Sequence, residues 1–273
     1  MTNLPAYRLP REEMKYIFKE RRRPLRNGKI IFRLFLAMLP VFSAAQDARE
    51  IVRKADERIK GTSSIADMTI QIVRPSWSRE MSMKIWTKGN DMAMILVTAP
   101  AKDKGTVFLK RGKEVWNWIP SIERNIKLPP SMMSQSWMGT DFTNDDLVKE
   151  ASVVDDYDHS IIGEEEIDGR MCYKIQMIPR PESAVVWGKV ITWIDRKDYL
   201  MLRAEYYDEE NVLINTMEAG DVKMLGGKLV PARMEMVPAE KKGNKTVLLY
   251  TALVFDKPMG EDFFSTQNMK RVK

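Results

Sequence analysis

The chain of 273 residues has one histidine and one cysteine, and each scarcity closes off a class of chemistry. A lone His159 removes the usual general base and the imidazole clusters on which most transition-metal sites are built. It sits in the acidic run Asp155, Asp156, Asp158 and reads as a solvated turn. A lone Cys172 excludes a disulfide within one chain, and no cysteine follows the expected export cleavage point to carry a lipid. Gly-x-Ser-x-Gly, a Gly-rich phosphate loop and an EF-hand loop are all missing, so catalysis by a nucleophile and phosphate cradling have no local signature. Glu164-Glu165-Glu166 and Asp145-Asp146 offer paired carboxylates as a hydrolase would need, but charge runs of this kind read as exposed loop faces. The expectation is a protein that is not an enzyme and uses no metal or cofactor.

A net positive charge is also missing once the leader is set aside. The net charge of +6 becomes −1 when residues 1–45, with ten basic and three acidic side chains, are removed. A near-neutral body without a basic stripe argues against nucleic acid as a partner, because phosphate contacts need clustered Lys and Arg. The leader itself reads as a signal peptide over 1–45: a positive region from Arg21 to Arg33, an apolar one from Leu34 to Phe42, and the small residues Ser43-Ala44-Ala45 before Gln46. The apolar stretch is far short of the roughly 20 residues that span a bilayer, although an uncleaved inner-membrane anchor is the alternative. Translation from Met14 would shorten the long positive region, and Arg22-Arg23 only weakly matches a twin-arginine signal. The expected location is the periplasm.

The body, 46–273, reads as one domain with one helix followed by many strands. Ala48, Ile51, Val52, Ala55 and Ile59 recur at helical spacing until Gly61. From Ile65 the period is two: Met68, Ile70 and Ile72 alternate with polar residues, as do Met81, Met83 and Ile85. Further strands are expected around 92–98, 106–110, 114–119, 170–178, 189–194, 200–207, 212–218, 229–237 and 245–255. Turn signals such as Lys88-Gly89-Asn90, Asp168-Gly169 and Gly226-Gly227 separate them. Sequential hairpins make an antiparallel meander that curls into a barrel or half-barrel. The alternation stops between Leu128 and Ala151, where Thr143 and Asp146 have capping-box spacing, so a short helix or two is expected there.

Methionine is what the body has in excess. Of 20 methionines, 17 lie beyond the leader, and Met68, Met81, Met83, Met171, Met177, Met234 and Met236 fall on the apolar parity of amphipathic strands. A flexible, polarizable side chain suits a surface that accommodates ligands of varied shape, and it equally suits the filling of a core. Parity alone leaves both readings open.

Four segments resemble a known family: Gly105-Thr106-Val107-Phe108-Leu109-Lys110, Val115-Trp116-Asn117-Trp118-Ile119-Pro120, Arg124 to Lys127, and Ser134-Gln135-Ser136-Trp137-Met138-Gly139-Thr140-Asp141-Phe142 with Asp145-Asp146-Leu147. They resemble the branch of the LolA-like outer-membrane lipoprotein-sorting superfamily that carries a Gln-Ser-x-Met-Gly-x-Asp-Phe run, and the similarity extends from the first helix of the body to the C-terminus. The resemblance implies a mainly β fold, an incomplete, half-open antiparallel β-barrel with helices covering the open side as a lid. Those helices would be 47–60 and the insert 129–150.

The resemblance also implies a function: periplasmic binding of the acyl chain of a lipid or lipoprotein cargo, with lid movement rather than chemistry as the mechanism. The expected cavity residues are Met68, Ile70, Met81, Met83, Ile85, Trp116, Trp118, Met133, Met171, Tyr173, Met177, Met234 and Met236, with Trp137, Met138 and Phe142 as lid contacts. Arg124 and Lys127 would meet an anionic headgroup or simply line a solvated strand face, and Asp141 and Asp146 would pin the insert. An inner-membrane transporter is a candidate partner, and the chain is expected to be a monomer. The alternative is a non-catalytic accessory that docks to an efflux-type transporter or envelope complex.

Overall fold

The computed structural model describes residues 39–148, 153–183 and 185–273. The chain divides into two units, Met1–Phe42 and Ser43–Lys273, and the expected signal peptide lies, up to residue 38, outside the described residues. Helix α1 (Leu39–Lys60) contains the amphipathic segment expected at 47–60 and extends it upstream. Ala48, Ile51 and Val52 are buried, while Arg53 on the polar side pairs with Glu50 and Glu57 at 2.6 and 2.5 Å. The N–H of Gly61, in the left-handed region at φ +62°, donates to Glu57 O at 3.0 Å and ends the helix.

Thirteen strands follow: β1 (Ser63–Arg74), β2 (Trp77–Lys88), β3 (Met92–Ala99), β4 (Val107–Arg111), β5 (Glu114–Ile119), β6 (Arg124–Lys127), β7 (Tyr157–Ile167), β8 (Arg170–Pro179), β9 (Lys189–Asp195), β10 (Met201–Tyr207), β11 (Leu213–Leu225), β12 (Lys228–Pro238) and β13 (Lys245–Phe255). They form one antiparallel sheet in the order β6-β5-β4-β3-β2-β1-β13-β12-β11-β10-β9-β8-β7. Every neighbour is a chain neighbour except β1 and β13, whose pairing joins two meanders into a single sheet. The sheet is not closed: β6 and β7, consecutive in the chain, are its two free edges. Residues 128–156 therefore run from one edge to the other.

Strand β7 was not expected. Its acidic run Glu164–Glu166 is exposed, as read, but it lies in a strand rather than a loop. His159, expected in a solvated turn, is buried on the same strand. An edge strand with one neighbour needs only one covered face near one end, and β7 buries Tyr157 and His159, half-buries Ile161 and Ile167, and leaves its other residues exposed. A polar pattern of that kind carries little period-two signal.

The two faces of the sheet are both covered, by different partners. On the inner face, buried residues of α1, of β1 to β5 and of β7 to β13 merge into one cluster that includes Met68, Ile70, Phe108, Ile175, Ile194, Met217 and Leu248. On the outer face of β2 to β5, Trp86, Met94, Leu96, Val107 and Leu109 pack beneath the C-terminal segment through Phe264 and Met269. A smaller outer cluster holds Cys172, Ile191, Trp193, Leu200 and Leu202. One 13-stranded sheet can bury its inner face against itself only by curling, and the shared inner cluster is the signature of that curl.

Candidate ligand-binding site

The inner face builds a cavity row by row. Met68 pairs with Met83 across β1 and β2 and with Tyr250 across β1 and β13. Ile70 pairs with Leu248, which faces Met234, and Met234 faces Ala219. Met217 opposes Ala204 of β10, and Met177 opposes Val190 of β9. Apart from Ala219, the residues of these rows, with Val52, Ala55 and Ile59 of α1, line a cavity of about 310 Å³ that draws on both halves of the sheet. That is the lower end of the size range of small-molecule sites.

Of the expected residues, Met68, Ile70, Met83, Ile85, Trp137, Phe142, Met177 and Met234 are brought together on the cavity wall. Met81, Met133 and Met236 lie behind it in the packed cluster, and Met138 and Tyr173 pack against that cluster half-buried. Trp116, Trp118 and Met171 are placed away from the cavity. Trp116 and Trp118 point to the outer face, where they join the cluster under the C-terminal segment, because Val115 and Asn117 occupy the inward parity of β5. Met171 has the inward parity of β8 but sits at the strand's end and is 45% exposed. Arg124 and Lys127 are exposed on edge strand β6, the solvated strand face that was one of their two expected placements, and Lys127 donates to Glu114. Wall residues that the sequence reading missed include Tyr157, Trp187, Val190, Ala204 and Met217. Met217 and Ala204 share the parity of their strands and could have been found that way; Trp187 lies in a loop with no period to betray it.

The Ser134–Phe142 segment is held in place by a buried polar clamp. Asp141 Oδ2 accepts from Arg74 Nη1 at 2.9 Å and from Thr246 Oγ1 at 2.7 Å, while Arg74 Nη2 donates to Gly139 O at 2.9 Å. Met138 and Gly139 both adopt positive φ, 49° and 81°, which turns the chain so that Trp137 and Phe142 face the cavity. Thr140 closes the turn by donating to Trp137 O at 2.7 Å. Trp137 is fully buried and packs against Phe108 of β4, the ring centroids 5.2 Å apart and the planes tilted by 56°.

Helix α2 (Asn144–Val148) begins with the capping box that the spacing predicted. The Thr143 N–H donates to Asp146 Oδ2 at 2.8 Å and the Asp146 N–H to Thr143 Oγ1 at 3.1 Å. Trp187 Nε1 donates to the other Asp146 oxygen at 2.9 Å. Burial nonetheless raises the Asp146 carboxyl above its ordinary range, its three hydrogen bonds offsetting only part of the loss of water. Asp145 is buried as well, so the Asp145-Asp146 pair is not the exposed loop face that was expected.

Neither single-copy residue stands in the cavity. His159 Nε2 donates to Val153 O at 2.6 Å, which holds residue 153 against β7, and burial lowers the pKa of the ring. Arg49 of α1 donates to the neighbouring Val154 O at 3.2 Å. Cys172 lies in the outer cluster of β8 to β10, with its thiol pushed up to about 11 by burial, which makes it unreactive.

Residues 89–271 match a family model described as "Uncharacterized protein". The chain belongs to this family. No curated protein matches it in sequence. Among solved structures, similarity extends to an outer-membrane lipoprotein-sorting protein domain from Vibrio parahaemolyticus, at 23% identity and a TM-score of 0.75 over 83% of this chain and 100% of that one. A DUF1329 family protein from Desulfovibrio piger is similar at 22% identity and a TM-score of 0.76, over 83% of this chain and 99% of that one. A LolA superfamily protein from Nitrosomonas europaea follows at 24% identity and a TM-score of 0.71, over 81% and 98%. The structural neighbours are thus LolA-superfamily and lipoprotein-sorting domains, and the fold is LolA-like, mainly β with an unclosed sheet. Among the described residues, no helix is long and apolar enough to cross a membrane.

Proposed function

We propose that the protein is a periplasmic carrier that holds the acyl chain of a lipid or lipoprotein in the methionine-lined cavity, in outer-membrane lipoprotein sorting or lipid transport. The observation that carries the reading is an apolar cavity of about 310 Å³ whose wall comes from both halves of an unclosed sheet and from α1. Each methylene that leaves water for such a wall contributes about 0.8 kcal/mol, so a chain of ordinary length binds without any covalent chemistry. Methionine lets the wall adapt to chains of different shape. Helix α1 and the insert that follows β6 act as the lid, moving aside when a chain enters and releasing it to an acceptor. The protein has no catalytic role in this scheme, and an inner-membrane transporter is the natural donor.

The test uses protein exported to the periplasm and purified without detergent. Lipid mass spectrometry of an organic extract is expected to show about one acyl lipid per chain, and the emptied protein is expected to take up a fluorescent fatty acid. Protein that neither retains nor binds an acyl ligand would instead be a scaffold of a transporter or envelope complex.

A further inference from the structure

Two polar groups on the cavity wall have no partner, and both stand at the end that the insert covers. Trp137 is fully buried, and its indole Nε1 has no hydrogen-bond acceptor. Tyr157, buried at the start of β7, also lines the cavity, and its hydroxyl has no hydrogen-bond partner among the described residues. The start of α2 joins the two: the Trp137 backbone N–H donates to Phe142 O at 2.9 Å, just before the capping box, and the charges of Asp145 and Asp146 act on the Tyr157 phenol. Burial, and then those charges and that of Asp156, push the Tyr157 pKa up, so the phenol keeps its proton. Trp187, the other indole on the wall, is already engaged with Asp146 at 2.9 Å. The cations of the wall lie at the opposite end, near the start of β1, where Arg58 donates to Leu229 O, Lys60 pairs with Asp56 and Lys110 donates to Asn90 O.

We propose that Trp137 and Tyr157 are the specificity-determining contacts of the cavity and bind the carbonyl oxygen of an uncharged acyl ester or amide. This rests on the acyl-carrier reading and adds the chemical class of the ligand. An indole N–H and a phenol O–H are two neutral donors, and a carbonyl oxygen offers two lone pairs without a charge. A buried donor left unpaired is costly, so the empty site favours a ligand that brings the missing acceptor while its chain fills the methionine rows. A carboxylate or phosphate at this end would meet like charge beside Asp145 and Asp146 in low dielectric, or force a carboxyl to take up a proton. Trp137 is covered on all sides, so its N–H is reached as the insert shifts, the movement that the carrier reading already assigns to the lid.

The experiment measures displacement of a fluorescent fatty-acid methyl ester from the delipidated full protein by ligands that share one chain. They are mono-oleoylglycerol, its ether analogue 1-O-oleylglycerol, which lacks the carbonyl, and 1-oleoyl-lysophosphatidate, which adds a phosphate. Mono-oleoylglycerol is expected to bind about tenfold more tightly than the ether, the size of one hydrogen bond, and more tightly than the phosphate form. Tyr157→Phe and Trp137→Phe are each expected to cut the ester-to-ether ratio about fivefold. The ratio is the readout because the smaller ring of Trp137→Phe weakens both ligands alike. Equal affinity of the unaltered protein for ester and ether overturns the carbonyl site but leaves the carrier reading standing, and it requires no variant to fold. A ratio that survives in both variants overturns the assignment to Trp137 and Tyr157, and tighter binding of the phosphate form overturns the restriction to uncharged ligands. If the protein binds neither the probe nor any of the ligands, the carrier reading and the carbonyl site fall together.

Discussion

Met81 and Met83 differ by two positions on one strand and by the surface that they face. Met83 is on the cavity wall, whereas Met81 is fully buried behind it, with Arg79 Nη2 at 2.8 Å from its sulfur. A lysine at Met83 can extend its stem along the wall and carry its ammonium into the lumen. A lysine at Met81 would bury a second cation beside Arg79 in packed surroundings, at a cost of several kcal/mol. Met83→Lys is therefore expected to melt near the unaltered protein and lose acyl binding, and Met81→Lys to lose its cooperative melt. Thermal unfolding and fatty-acid binding on the two variants check this; a collapsed melt for Met83→Lys would mean that the wall is a dry core. The same pair shows the limit of a sequence pattern. Parity assigns a side chain to a face, as it did for Met68, Met83, Met177 and Met234, but depth along the strand decides whether that face is covered, and Met171 at the end of β8 is not.

Among the elements, the 128–156 insert was legible where local rules govern it and illegible where tertiary contacts do. Thr143 and Asp146 signalled the start of α2 because a capping box is a contact between near neighbours. The partners of Asp141, by contrast, come from Arg74 and Thr246, distant in the chain and marked by no spacing. Strand β7 and the outward turn of Trp116 and Trp118 were hidden for the same reason: each depends on what covers a face, here the insert and the C-terminal segment. The clamp makes a quantitative expectation. Arg74 and Asp141 are 12% and 6% exposed, and Asp141→Ala strands a largely buried guanidinium, a loss of about 3–5 kcal/mol. Thr246→Val removes two hydrogen bonds, Oγ1 to Asp141 Oδ2 and the Asp141 N–H to Oγ1, and is expected to cost less, about 2 kcal/mol. Chemical denaturation would measure both, and amide exchange should show the protection lost first around residues 134–146. Equal, small losses for the two variants would mean that the insert is held by Trp137 and Phe142 alone.

At the scale of the whole molecule, the sheet separates two kinds of packing. Its inner face carries the adaptable, methionine-rich wall of the cavity, and its outer face over β2 to β5 is sealed by aromatic contacts: Trp86 to Phe263 at 5.4 Å, Phe263 to Phe264 at 5.2 Å, with Phe264 fully buried. On the proposed carrier reading the inner face yields to a ligand and stability comes from elsewhere; the C-terminal cover lies at a distance from the cavity and can supply it. Phe264→Ala leaves a void in that cover and is expected to cost about 3–5 kcal/mol of stability, as large-to-small changes of buried aromatics do. Because Phe264 does not line the cavity, the folded fraction of the variant is expected to bind acyl ligand with unchanged affinity. The reverse pattern, a small stability loss with weakened binding, would show that the two faces are coupled through β2 and β3 and that ligand entry works against the outer seal. Denaturant unfolding and acyl binding, measured on the same preparation below its melting temperature, distinguish the two.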